Sequence, residues 1–336
     1  MSKLSVSVII AAYHGEQFIG EQLRSLFRQT YVPSEILIGD DSSDDLTQKA
    51  AELVIPEAPC PVKIIKNIPA KGCVQNFSML AESAGSDLVF FCDHDDVWLP
   101  EKIEKMVQEF EAHPETSVVF CNSRFVDAEL NDLGCSTADI LRVTPEAVRK
   151  INEQNDLSDF IKSPMMYGHN IAIRKNVLRG ALPIPARVKS HDLYLNYISS
   201  VYVLRSVPDN LTLFRRHGKN LSSQETFWTR IRNIPSGKRN SELFDSWNHL
   251  GAAVEMLKKQ EISGIRRENL LLLEGTRDFF RKRLFYAAGP FLLRIRAILI
   301  LKQYFQYGFG FKSFIRDILA GAKMTEEQNR IFTFNQ

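Results

Sequence analysis

The 336-residue chain has no GxGxxG turn and no GxxxxGK[ST] loop. Its first apolar run is followed by Ala12-Tyr13-His14-Gly15-Glu16. That turn lacks the glycines that let a backbone wrap a phosphate, which argues against a nicotinamide enzyme or a P-loop NTPase. No CxxC pair occurs either. The five cysteines, Cys60, Cys73, Cys92, Cys121 and Cys135, are odd in number, and Cys92 and Cys121 sit in apolar runs. They read as small core residues in a reducing compartment, not as a disulfide framework. No stretch approaches the roughly 18 uncharged apolar residues of a spanning helix. Met1-Ser2-Lys3 leads straight into a strand pattern, so no signal peptide is expected. The expected location is the cytoplasm, with peripheral contact to the inner face of the plasma membrane left open. Net charge is low, at +2, which argues against a dedicated nucleic-acid binder. There is no internal repeat.

What is present is a globular composition, 44% hydrophobic and 24% charged. The charge is unevenly spread. From Ser223 onward there are 19 Lys+Arg against 11 Asp+Glu, or +8, which leaves −6 for the first 222 residues. Short apolar runs at Val6–Ala11, Glu35–Gly39, Val62–Ile65, Leu88–Cys92 and Ser117–Cys121 read as strands. Between them lie residues at helical spacing: Ile19, Leu23, Leu26 and Phe27; Leu46, Ala50, Leu53 and Val54; Phe77, Leu80, Ala81 and Ala84; and, after Pro100, Ile103, Met106, Val107 and Phe110. Strands alternating with helices predict an α/β fold with a mostly parallel sheet flanked by helices. The polar stretch between Leu130 and Pro164 reads as a long loop with helical pieces. A short strand follows at Asn170–Arg174, a helix opens at His191-Asp192, and Leu211–Arg216 is extended. Strand signals stop beyond Ser223, so a helical, basic C-terminal region is expected.

Two acidic runs carry the chemistry. Asp40-Asp41-Ser42-Ser43-Asp44 follows the second strand and Asp93-His94-Asp95-Asp96 follows the fourth. Parallel strands place both runs on one edge of the sheet, the edge where open α/β sheets bind ligands. Crowded carboxylates repel unless a cation sits among them. Hard oxygen donors of this kind suit Mg²⁺ or Mn²⁺, ions that usually also hold substrate phosphates. A solvated acidic turn is the plain alternative for either run alone.

The order of these parts resembles family 2 glycosyltransferases of the GT-A (Rossmann-like) fold. Val6–Tyr13 resembles the family's opening strand. Asp40-Asp41-Ser42-Ser43-Asp44 resembles its DDGSxD turn, with Ser42 where glycine is usual. Asp93-His94-Asp95-Asp96-Val97-Trp98 resembles the DxDDxW form of its DxD motif, and His191-Asp192 its [E/H]D motif. Arg216-His217-Gly218-Lys219-Asn220-Leu221-Ser222 resembles the segment that closes the catalytic domain. The resemblance covers about residues 4–222. It implies a catalytic domain over 1–222, with a nucleotide-sugar part to about 127 and an acceptor part over 128–222, followed by a helical extension over 223–336. The DxDDVW variant is similar to bacterial rhamnosyltransferase-like enzymes of surface-polysaccharide synthesis.

The implied reaction moves a sugar from a nucleotide diphosphate to an acceptor hydroxyl, with inversion. The resemblance gives Asp192 the role of general base, which a weak hydroxyl nucleophile needs; an N-cap for the following helix is its plainer role. Asp95 is the first metal ligand, with Asp93 on the metal or the ribose and His217 as a further ligand or diphosphate contact. Asp96 reads as a cap for the helix after Pro100. Asp41, or Asp40 in its place, takes the nucleotide base. Tyr13 offers a ring for stacking over Ala11 and Ala12, and Lys71 reaches toward the diphosphate. Trp98, His169 and His191 fall on the acceptor side, Trp98 with packing as the alternative and His191 orienting Asp192 as another. The implied cofactor is Mg²⁺ or Mn²⁺. The implied partners are a nucleotide-sugar donor, dTDP-rhamnose among the options, and a glycan or lipid-linked saccharide acceptor. Two other functions remain open: a non-catalytic scaffold of a polysaccharide-assembly complex, and a sugar-nucleotide nucleotidyltransferase. The basic, aromatic stretch from Arg277 to Tyr307 suits a helix lying in a membrane interface, a helical cap on the catalytic domain, or an oligomer contact.

Overall fold

The computed structural model describes residues 3–217, 236–259 and 264–308, together with Phe314, Ile315, Asp317, Ile318 and Gln328. The expected boundary at 222/223 and residues 218–222 of the closing segment lie outside the described residues; of the helix expected near Phe314–Leu319, Phe314, Ile315, Asp317 and Ile318 are described and helical.

Four parallel strands form the first half of the sheet: β1 (Val6–Ala12), β2 (Glu35–Asp40), β3 (Val62–Lys66) and β4 (Leu88–Asp93), in the order β3-β2-β1-β4. Every residue of β1 is buried, as a strand covered on both faces must be. The two-residue period of the strand sorts its side chains. Val6, Val8, Ile10 and Ala12 pack with α1 (Ile19–Phe27) and α4 (Lys102–Ala112), while Ile9 and Ala11 pack on the opposite face with α3 (Cys73–Ser83) and α9 (His191–Ser199). The helix α2 (Leu46–Glu52) departs from its expected face. Leu46 and Leu53 are exposed, and the buried positions are Thr47 and Ala51. Pro100 also lies outside α4, whose N-cap is Glu101.

The second half of the sheet is mixed. β6 (Val118–Val126) runs five residues beyond the expected fifth strand, to the residue that meets Arg215. β8 (Ile171–Arg174) is antiparallel to both β4 and β6, and joins the two halves. β9 (Leu204–Arg215) is parallel to β6 and antiparallel to the short β5 (Val97–Trp98). The stretch read as a long loop with helical pieces holds the helices α5 (Thr137–Leu141), α6 (Pro145–Arg149) and α7 (Ser158–Lys162), and also an unexpected strand, β7 (Asp132–Ser136), paired with β6. A further short helix, α8 (Lys175–Arg179), follows β8.

The C-terminal helices do not stand apart. Leu250, Ala253, Val254 and Leu257 of the helix Ser236–Lys259, and Leu273 of the helix Arg267–Ala288, are buried in the same core as Phe77, Phe91 and Tyr194. They complete the face of the sheet that carries α3 and α9. Beyond them, Phe279, Ala297, Ile300, Tyr304 and Phe314 form a separate small cluster.

Candidate functional site

The parallel register settles where the acidic runs stand. Ala12 pairs with Asp40, and Ala11 with both Gly39 and Asp93. The end of β1 is therefore flanked by one acidic run on each side. Asp40 and Asp41 then diverge. Asp40 is fully buried: Oδ1 accepts from the Ser42 amide (2.9 Å) and hydroxyl (2.6 Å), and Oδ2 from Lys66 Nζ (2.9 Å). It is committed to the turn, which removes it as the alternative base-binding residue. Ser42 has no positive φ. Its hydroxyl also accepts the His14 amide (2.8 Å), so a serine here ties the two loops together. Asp41 uses one oxygen, Oδ1, on Asn67 Nδ2 (2.7 Å) and the Lys71 amide (3.2 Å). Asn67 in turn bonds Asn76 Oδ1 (3.1 Å), whose amide reaches the Gly39 carbonyl (2.7 Å). A Cβ at Gly39 would lie 1.9 Å from Asn76 Oδ1, so glycine is what lets this network close around Asp41. Tyr13 stands exposed beyond the end of β1, while Ala11 and Ala12 are buried beneath. The Lys71 side chain is exposed and lines an open cavity of about 450 Å³ with Gln75, Met79 and Pro183.

The members of the second run separate by burial. Asp93 keeps about a third of its side chain exposed and faces His169 Nδ1 at 3.5 Å. Burial pushes its carboxyl up, but His169, His191 and His94 outweigh that and hold it below the usual range. Asp96 is fully enclosed, and burial together with Asp95 and Asp93 pushes it well above the carboxylate range. Its Oδ1 accepts the Arg215 amide (3.0 Å), and Oδ2 has no hydrogen bond. It does not cap α4; it ties β9 to the acidic turn. His94 packs its ring against Gly15, where a Cβ would lie 2.5 Å away, and approaches the Ala11 carbonyl at 3.3 Å.

Three residues expected on the acceptor side are interior instead. Trp98 is 2% exposed and packs with Ile103 and Phe90 in the core, because β5 turns its ring beneath the sheet. His169 is 2% exposed, bonded to Ser123 Oγ (2.8 Å) and stacked on Phe214. His191 lies against Phe77 and Phe91, and Gly168 approaches it so closely that a Cβ would meet Nε2 at 2.4 Å. No His191–Asp192 bond forms among the described contacts, so His191 packs rather than orients.

Two donor sets bear on a divalent ion. Asp95 Oδ2 and His217 Nε2 are 3.0 Å apart, each side chain about a tenth exposed. Neighbouring ligands of an octahedral ion with bonds of about 2.1 Å are separated by about 3 Å, the spacing this hydrogen-bonded pair shows. Asp93, Asp96 and His169 bring ligand atoms within 4.8 Å of one another. That set is enclosed, includes the carboxyl pushed toward its neutral form, and lies beside the Lys102 ammonium. Mg²⁺ and Mn²⁺ keep waters and substrate oxygens, which suits Asp95 and His217 better, with Asp93 beside them.

Asp192 is the second residue of α9. The N-cap is Ser190, whose hydroxyl accepts the Leu193 amide (3.2 Å) and donates to Asp192 Oδ1 (2.5 Å). With the capping done by Ser190, the Asp192 carboxylate is held by its neighbour's hydroxyl. The Cys73 thiol, at the start of α3, reports the convergence. Burial pushes its pKa up, and Asp93, Asp192, Asp41 and Asp95 all push further in the same direction. Four carboxylates from three separate segments thus lie within electrostatic reach of one thiol near the sheet edge.

Sequence reasoning passed over two cations that hold this edge together. Lys102 is fully buried; its ammonium donates to the His169 carbonyl and Thr212 Oγ1 (2.7 Å each) and lies 3.7 Å over the Trp98 ring. Arg215 is 3% exposed and donates to the Asp95 carbonyl (2.9 Å), with Glu21 and the Ala128 carbonyl as further partners. Arg215 lay beside a recognised motif. Lys102 stood one place before an apolar helix face and carried no local signal.

Residues 7–181 match the family model described as glycosyl transferase family 2. The chain is 30% identical over 107 residues to the UDP-Glc:alpha-D-GlcNAc-diphosphoundecaprenol beta-1,3-glucosyltransferase WfgD of Escherichia coli, covering 32% of this chain and 41% of that protein. Its fold is similar to that of S. aureus TarS 1–349, solved with UDP-GlcNAc (TM-score 0.56, 16% identity, 94% of this chain and 89% of that one). It is also similar to the mannosyltransferase PcManGT from Pyrobaculum calidifontis, solved with GDP-Man and Mn²⁺ (TM-score 0.54, 14% identity, 95% and 84%). At such identities the likeness speaks for a GT-A fold. The matched segment spans 66% or less of the length of the curated relatives. The family match takes in the opening strand, both acidic runs and the strand that joins the halves of the sheet, more than half of the chain: the chain belongs to glycosyl transferase family 2.

Proposed function

We propose that the protein is an inverting glycosyltransferase that moves a sugar from a nucleoside diphosphate to a hydroxyl of a glycan or lipid-linked acceptor, in cell-surface polysaccharide synthesis. The observation that carries this reading is the placement of the Asp40–Asp41 and Asp93–Asp96 runs on either side of the end of β1, with Asp95 Oδ2 3.0 Å from His217 Nε2. Asp41 holds the nucleotide base through its second oxygen, with Tyr13 stacking over the floor of Ala11 and Ala12. Asp93 bonds the ribose or shares the ion, and Lys71 reaches the diphosphate. Asp95 and His217 would hold Mg²⁺ or Mn²⁺, an ion that would supply positive charge to offset the charge developing on the leaving diphosphate. Asp192 removes the proton of the acceptor hydroxyl as it attacks from the face opposite the leaving group. The resemblance of the DxDDVW turn favours dTDP-rhamnose as donor. A panel of nucleotide sugars, assayed for release of nucleoside diphosphate with and without Mn²⁺, tests the reading. Metal-stimulated turnover of one donor is expected. No turnover and no donor binding by calorimetry would leave the scaffold alternative standing, and pyrophosphate-linked synthesis of a nucleotide sugar would favour the nucleotidyltransferase.

The C-terminal region supplies the acceptor's setting. Phe291, Leu292, Ile295, Ile298, Leu299 and Phe305 are exposed, interleaved with Arg294, Arg296 and Lys302. Apolar side chains among cations suit the interface of an anionic membrane. This matches a lipid-linked acceptor, the kind named for WfgD. Among the described residues, no helix is long and apolar enough to cross a membrane. Binding to phosphatidylglycerol vesicles is expected in sedimentation, weakened by salt and lost in Leu292→Ser/Leu299→Ser. Equal binding by that variant would remove the docking role.

A further inference from the structure

Asp192 depends on a turn that the C-terminal region holds from outside the sheet. His249, on the helix Ser236–Lys259, is 1% exposed. Its Nε2 accepts the backbone amides of Lys189 (3.2 Å) and Ser190 (3.1 Å), and its Nδ1 is bonded to the Asp245 carbonyl one turn back. Amides only donate and a carbonyl only accepts, so these partners fix the ring as the neutral tautomer with the proton on Nδ1. Ser190 is the N-cap of α9 and the residue whose hydroxyl bonds Asp192. An unbroken chain of contacts therefore runs from His249, through the Ser190 backbone and hydroxyl, to the Asp192 carboxylate.

We propose that His249 is a positioning residue for Asp192, through which the C-terminal helix fixes the direction of the general base. The proposal rests on the reading of Asp192 as the base. No other side chain accepts the Lys189 and Ser190 amides among the described contacts. Without His249 both amides would be left facing the buried helix, and the cap would lose its anchor. A small misplacement of a catalytic group costs rate rather than binding, so the effect should fall on kcat. The ring also carries a pH signature. Burial pushes the imidazole down, opposed by Asp245 and Asp192 and reinforced by Lys189. Arg187 belongs to the same surroundings, its carbonyl accepting from Asn248. The neutral ring is the working form. Its contribution is complete above the ordinary imidazole range and is lost as pH falls through the depressed value, where an Nε2–H would confront two amide donors.

The test compares His249→Leu, which cannot accept, with His249→Gln, whose carbonyl can, in the full-length protein, each also combined with Asp192→Asn. The expected result for His249→Leu is a kcat lower by about 10-fold or more, with donor KM within about twofold. His249→Gln should recover most of the rate and shift the acidic limb of the kcat profile. In the Asp192→Asn background the residual turnover should no longer respond to His249→Leu, since coupled residues are not additive. Thermal melting gives the folded fraction of each variant. The proposal is overturned if His249→Leu keeps the parent kcat, if its loss is equal in the Asp192→Asn background, or if it only tracks the folded fraction. Full activity in Asp192→Asn alone overturns the base reading, and the proposal with it. An inactive Asp192→Asn beside an unaffected His249→Leu overturns the proposal alone.

Discussion

Asp192→Asn is expected to slow sugar transfer by about 10²–10⁴-fold, while donor affinity stays close to that of the parent. The substitution is nearly isosteric. Asn keeps an oxygen to accept the Ser190 hydroxyl that now bonds Asp192, and α9 keeps its cap, which Ser190 supplies. What disappears is the basic oxygen. With Asp192 as the proposed base, the acceptor hydroxyl would then have no partner for its proton as the bond to the sugar forms. Initial rates at saturating donor, set beside calorimetric titration of the same donor, separate the two effects. A rate within a few-fold of the parent would mean that another group takes the proton. A fall in rate and affinity together would mean that Asp192 serves the donor site instead.

Asp95→Ala is expected to remove metal stimulation and to lower turnover by about 10²-fold or more, the size of a lost electrostatic contribution to a leaving diphosphate. Asp96→Asn is the informative companion. Asp96 is enclosed and pushed toward its neutral form by burial and by Asp95 and Asp93. An amide in its place preserves charge, and its oxygen still accepts the Arg215 amide. Its turnover should therefore keep its response to Mn²⁺. If Asp96→Asn abolished that response and Asp95→Ala did not, the ion would belong to the enclosed set of Asp93, Asp96 and His169. Titration of Mn²⁺ against initial rate for both variants decides between the sets.

Much of the site was legible before any coordinates. Each acidic run follows an apolar strand, and the alternation of strands and helices makes those strands parallel. The register between Ala11, Gly39 and Asp93 is the consequence. The same reasoning failed where function and packing share a residue type. Asp40 and Asp41 are adjacent and chemically identical, yet one is spent on Ser42 and Lys66 and the other keeps an oxygen. Trp98 and His169, polar-edged and close to the motifs, were read as wall and prove to be floor. Burial of that kind depends on which strand lies above a residue, and β5 and β9 meet across more than a hundred positions of chain.

By itself, the sequence determined the α/β class and the sheet edge at which the two acidic runs stand, because strand period and motif order are local and survive without packing. Only the tertiary structure decided how the members of the acidic run at Asp93–Asp96 differ in burial and partners. It put Lys102 beneath that run and clamped it with Arg215. It also bound Ser190, in the turn before Asp192, to a histidine 59 residues further along the chain. Those assignments are contacts between distant segments. Their energies come from burial and from hydrogen-bond partners that no local pattern encodes.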